Sequence, residues 1–152
     1  MSEQSVHHGT FVIEREYDAP LERVFGAWAS SEAKQRWFAC HDEWKTQHYA
    51  LDFRVGGSES LKTQDTKGIV HAYDAVYHDI AANERIVYSY AMSLDGERVS
   101  VSLTTIEFAM NGAGTRLKFT EQDVFLVNYG DPEQREMGTV ELLKNFEREL
   151  AR

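Results

Sequence analysis

Apolar and polar positions along the chain change period twice, and the changes mark its elements. From Thr10 to Tyr17 the order T-F-V-I-E-R-E-Y mixes β-branched and aromatic residues with late alternation, which predicts a strand. Leu21, Val24, Phe25 and Trp28 then recur at helical spacing, with Pro20 in a first turn that tolerates proline and Asp18 as the cap, so an amphipathic helix follows. Ser30 or Ser31 can cap a second short helix reaching Phe38, and Cys40 to Lys45 reads as a loop before strand residues from Thr46 to Arg54. Gly56 and Gly57 permit a sharp reversal. Strands are then expected over Ser58 to Thr63, Gly68 to Ile80, Arg85 to Met92, Arg98 to Met110 and Thr115 to Gln122, with Asp95-Gly96 and Asn111-Gly112 as hairpin turns. Asp131-Pro132-Glu133 opens a last helix, whose apolar stripe Leu142, Leu143, Phe146, Leu150 lies opposite Glu141, Lys144, Arg148 and Glu149.

Grouped antiparallel strands with helices at both ends predict an α+β fold in which the long helix needs a sheet to cover its apolar face. A length of 152 residues fits one domain, large enough to bury about 70% of the surface of its unfolded chain. No internal repeat or low-complexity segment interrupts it.

Composition narrows the classes of function. Hydrophobic residues at 42% and aromatics at 12% exclude a disordered tail, and no apolar run approaches the ~20 residues that cross a bilayer. The first residues, MSEQSVHHGT, lack the basic and apolar regions of a secretory signal, and one cysteine, Cys40, cannot form an internal disulfide, so a cytoplasmic location is expected. A formal net charge of -9 with no basic stripe speaks against a nucleic-acid or anionic-membrane partner. The glycines form no phosphate-cradling motif.

The phrases "YDAPLERVFGAW", Arg36-Trp37, "LDFRVGG", "ERIVYSY" and "GTRLKFTE", followed by a closing amphipathic helix, span nearly the whole chain in one order. Together they resemble the bacterial proteins similar to the C-terminal domain of the heat-shock protein 90 ATPase activator, in the START and birch-pollen-allergen-like (SRPBCC) superfamily. The resemblance implies a helix-grip fold: a curved antiparallel sheet wrapped round the C-terminal helix, two short helices after the first strand, and a cavity between sheet and helix. It implies binding of an apolar small molecule there, a possible chaperone partner in a stress response, or, among more distant relatives, acid–base enzymes. The eukaryotic namesake carries a further domain that these residues do not include. Relatives often have Gly-Trp near the start of the last helix, where this chain has Gly138-Thr139.

Alternation assigns the faces. Leu117, Phe119 and Glu121 share one side of the last strand; Ile86, Tyr88, Tyr90 and Met92 share another, as do Ser102, Thr104, Ile106 and Phe108, and Val76, His78 and Ile80. If all of these face the helix, His78, Tyr88, Tyr90, Ser102, Thr104 and Glu121 are convergent polar groups among apolar walls that Trp28, Trp37, Phe108, Leu143 and Phe146 complete. Ordinary amphipathic packing explains the tyrosines equally well. His78 with Glu121 could form a histidine oriented by a carboxylate, although a structural histidine is the simpler reading, and no catalytic residue is assigned. "ACHDEW" supplies metal-ligand residue types at Cys40, His41, Asp42 and Glu43, with His48 beyond, but neighbours in a loop point apart, so no metal and no other cofactor is expected. Sequence leaves the choice between monomer and homodimer open.

Overall fold

In the computed structural model the described residues are 6–39, 43–126 and 131–152. Strand β1 (Val6–Tyr17) leads into helices α1 (Leu21–Ala29) and α2 (Ser31–Trp37). Strands β2 (Lys45–Leu51), β3 (Ser58–Gln64), β4 (Val70–Ala81), β5 (Arg85–Leu94), β6 (Glu97–Asn111) and β7 (Gly114–Leu126) follow, and helix α3 (Pro132–Leu150) ends the chain. All seven strands form one antiparallel sheet in the order β1-β7-β6-β5-β4-β3-β2. Only the closure of β1 onto β7 joins strands distant in sequence; every other pairing is a hairpin between neighbours. This is the expected helix-grip fold.

Turn chemistry sets the hairpins. Asp95 and Gly96 both take positive φ, 48° and 86°, as a two-residue turn matching the strand twist requires. Ser30 caps α2 by accepting from the Ala33 amide, and Asp131 caps α3 by accepting from the Glu133 amide. Removing the second cap by Asp131→Ala should lower stability by about 1 kcal/mol in a denaturant melt. The expected Asp18 cap does not form: Pro20 itself occupies the capping position of α1, with no side-chain bond to the first turn.

The concave face of the sheet holds the core. Trp28, Trp37 and Phe146 pack edge-on and tilted, with ring centroids 4.7, 4.9 and 5.4 Å apart. Leu117, Phe119, Ile106 and Leu143 close round them. At its C-terminal end α3 is tied to α2 by a two-pronged ion pair between Arg36 and the buried Glu149.

One face assignment is corrected. Tyr73, Ala75 and Tyr77 point inward from β4, whereas Val76 and His78 lie on the outer face. A β-bulge between Tyr77 and Asp79 makes His78 the extra residue, so the inward series runs from Tyr77 to Ile80 and strict alternation fails across it. His78 bonds Ser89 across the exposed face, with 2.7 Å between Nε2 and Oγ.

Candidate functional site

A cleft of about 950 Å³ lies between α3 and the inner faces of β3 to β7, with the residues after α2 as its third wall. Phe38, Leu61, Tyr73, Met92, Val99 and Phe125 make its surface mostly apolar. A bulge in the β5–β6 pairing turns Val99 inward beside Ser100, which widens the wall at that end. Gly138 on α3 also lines the cleft, and a Cβ there would meet nothing within 4 Å. Thr139, which stands where relatives often have the tryptophan, lines the same cleft.

At the α3 side of the cleft stands Arg135. Its Nη1 donates to Tyr90 Oη at 2.9 Å and to Ser102 Oγ at 3.3 Å, while Nη2 donates to Ser100 Oγ at 2.8 Å. Behind these groups lie two carboxyls on alternate positions of β7, Glu121 and Asp123, both fully buried. Arg135 Nη1 is 3.7 Å from Glu121 and 3.6 Å from Asp123. Tyr90 donates to Glu121 Oε2 at 2.8 Å, Thr104 donates to Oε1 at 3.1 Å, and Ser102 donates to Asp123 Oδ1 at 2.5 Å.

Two acids and one cation leave a charge unbalanced in a dry site. Burial, then the neighbouring Asp123, push the Glu121 carboxyl up to about 8, against the opposing pull of Tyr90 and Arg135. Glu121 therefore holds a proton at neutral pH. Asp123 Oδ2 is buried without a hydrogen-bond partner among the described residues.

Two further polar constellations flank the cleft. His71 lines its wall, and its Nε2 lies 2.9 Å from Asp65 Oδ2; that bond, reinforced by the Ile69 and Lys67 amides, holds the Asp65 carboxyl below its usual range. The Trp44 ring lies over His71 at 4.4 Å. Deeper in the protein, Lys34 is fully buried with its Nζ 3.1 Å from Glu59 Oε2 and 4.2 Å from the centroid of Phe38. Tyr49 and Tyr77 donate to the two Glu59 oxygens. Burial pulls the Lys34 ammonium down and Glu59 pulls it back, so this pair ties α2 to the sheet.

The structure distributes the sequence-predicted residues over several environments. Tyr90 lines the cleft, with Ser102, Thr104 and Glu121 in the network behind it. Tyr88 and Phe108 are packed in the core, as are Trp28, Trp37, Leu143 and Phe146. His78 is on the other side of the sheet, so it does not meet Glu121; the histidine that does meet a carboxylate is His71. Sequence reasoning missed Arg135, Asp123 and the Lys34–Glu59 pair. Asp123 follows Leu117, Phe119 and Glu121 in strict alternation, and Arg135 extends the helical stripe of Thr139, Leu142 and Phe146 back by one turn, so both faces were readable from spacing. Among the described residues no three His, Cys, Asp or Glu side chains gather to hold a metal ion; Cys40, His41 and Asp42 lie outside them. No helix is long and apolar enough to cross a membrane.

Comparison with known proteins gives the lineage. The structure superposes on an uncharacterised protein from Rhizobium leguminosarum with a TM-score of 0.93 at 51% identity, covering 97% of each chain. A Rhizobium loti protein gives 0.89 at 39% identity, covering 96% of this chain and 99% of its own. The AHSA1-like protein from Aeromonas hydrophila, 22% identical with a TM-score of 0.69 over 93% and 92% of the two chains, shares the fold. Comparison with curated proteins finds no match. A family model described as Activator of Hsp90 ATPase homolog 1-like protein matches residues 18–151. The chain belongs to that family, within the SRPBCC superfamily.

Proposed function

We propose that the protein binds an amphipathic small molecule in the cleft between the sheet and α3, its apolar part against Leu61, Tyr73, Met92 and Val99 and its polar end toward Arg135. The observation that carries this reading is the placing of the Arg135 guanidinium beside a mostly apolar wall in a cavity of about 950 Å³. Ligand sites have this character: hydrophobic area for affinity, and few polar groups for orientation.

Gly138 provides the test. Leucine at this helical position adds bulk to the open space of the cleft while improving helix propensity by up to about 1 kcal/mol, so Gly138→Leu should fold at least as stably as the wild type. An apolar dye should bind the wild type saturably, one per chain, and change the emission of Trp44, which lines the cleft; Trp28 is sealed in the core. Gly138→Leu should abolish that binding. Undiminished uptake by the folded variant, or uptake that never saturates, would count against the cleft.

A further inference from the structure

The polar end of the cleft is more specific than an amphipathic ligand requires. Arg135 has five N–H donors, and three are satisfied within the protein by Tyr90, Ser102 and Ser100. Nε and one Nη2 hydrogen have no acceptor among the described residues, and a guanidinium with free N–H groups offers charge-assisted hydrogen bonds to an oxyanion. Tyr90 and Phe125 lie against the guanidinium, with ring centroids 5.6 and 5.0 Å from Cζ, and fix its plane. The side chain remains 19% exposed where it lines the cleft. A rigid Arg with its free edge at the end of an apolar cavity is a receptor for an acid.

Resting on the binding function proposed above, we infer that the ligand is an apolar monocarboxylate, held by Nε and Nη2 of Arg135 at the polar end of the cleft. Donor geometry selects the class. Asp123 already offsets the charge of Arg135, so the gain comes from charge-assisted hydrogen bonds to the remaining guanidinium N–H groups, which match the two oxygens of a carboxylate. A dianion such as a phosphate monoester would bring a second charge toward the buried Asp123. Loss of the Glu121 proton would add a like charge beside a monocarboxylate.

The groups facing Glu121 are Tyr88 and Tyr90 from β5, Thr104 from β6, Asp123 from its own strand and Arg135 from α3. Its partner on β1, Phe11, is uncharged. The tyrosines are held protonated by burial, which leaves Glu121 as the group of this cluster with a shifted value near neutrality. Its value of about 8 sets the range in which affinity changes.

Decanoate, decanol, decylamine and decyl phosphate, titrated by calorimetry into the wild-type protein, test this without a variant. At neutral pH decanoate should bind about tenfold or more tightly than the other three, since decanol and decylamine offer no bidentate acceptor and decyl phosphate carries a second charge toward Asp123. Its affinity should fall as pH rises through about 8, while that of decanol stays level. Arg135→Lys, which keeps the charge and loses the fork, should remove most of the preference. Equal affinities for decanoate and decanol, or tighter binding of decyl phosphate, would overturn the carboxylate assignment and leave the cleft reading standing. Saturable binding by none of the four would overturn both.

Discussion

Replacing Lys34 with methionine while Glu59 remains should destabilise the fold by about 3–5 kcal/mol, one of the largest effects a single side chain can produce here. Methionine fills nearly the same volume against Trp28, Trp37 and Phe38, so packing is largely kept. What is lost is the partner of a carboxylate with almost no solvent access. The hydroxyls of Tyr49 and Tyr77 would still reach Glu59, but two neutral donors do not replace an ammonium. Lys34→Met with Glu59→Gln should recover most of the loss, because the charge disappears with its counterion while the glutamine oxygen keeps an acceptor for a tyrosine. Guanidinium melts of the two single variants and the double variant give the coupling. A Lys34→Met change within about 1 kcal/mol of the wild type would show that the pair is not the tie between α2 and the sheet.

The second large effect is a stability that declines as pH rises. Glu121 has a folded value of about 8 against an ordinary 4.5, so between those values the folded state retains a proton that the unfolded chain releases. Its contribution is complete below about pH 4.5 and is lost as pH rises through about 8, which is opposite in sign to the usual carboxylate. A shift of this size corresponds to as much as about 5 kcal/mol across the window. Glu121→Gln mimics the protonated acid, with its amide N–H able to donate where the carboxyl proton did. It should flatten the slope and be more stable than wild type at alkaline pH. The diagnostic quantity is the difference between wild type and Glu121→Gln at each pH, which cancels the contributions common to both proteins. Parallel profiles for the two proteins would place the proton elsewhere.

The readability of this chain varied with how local each cause is. Hairpin turns, the capping of α3 and the amphipathic stripes depend on neighbours a few residues apart, and the α+β order of elements followed from them, while the helix-grip arrangement came from the resemblance. His78 was placed on the wrong face because the bulge after Tyr77 inserts one residue into β4, and nothing in Y-H-D-I marks which residue is the extra one. Tyr88 and Tyr90 share a face as alternation requires and both are buried in the core, but only Tyr90 also lines the cleft, a difference set by tertiary packing rather than by spacing. Lys34 and Glu59 are 25 positions apart and on different kinds of element, so only tertiary packing brings them together. Arg135 and Asp123 were legible as positions on inward faces; their meeting round Tyr90 was not.

The cleft itself is tested most directly by mapping where a ligand sits. Amide and methyl resonances of the isotope-labelled protein should be followed as decanoate is added at neutral pH. The account predicts saturable shifts confined to the cleft, in the methyls of Leu61, Met92, Val99 and Leu142 and in the Arg135 side chain, with the outer-face residues Val76, Val101 and Leu103 unmoved. Shifts concentrated on that outer face, or no saturable shift at the cleft residues, would contradict it.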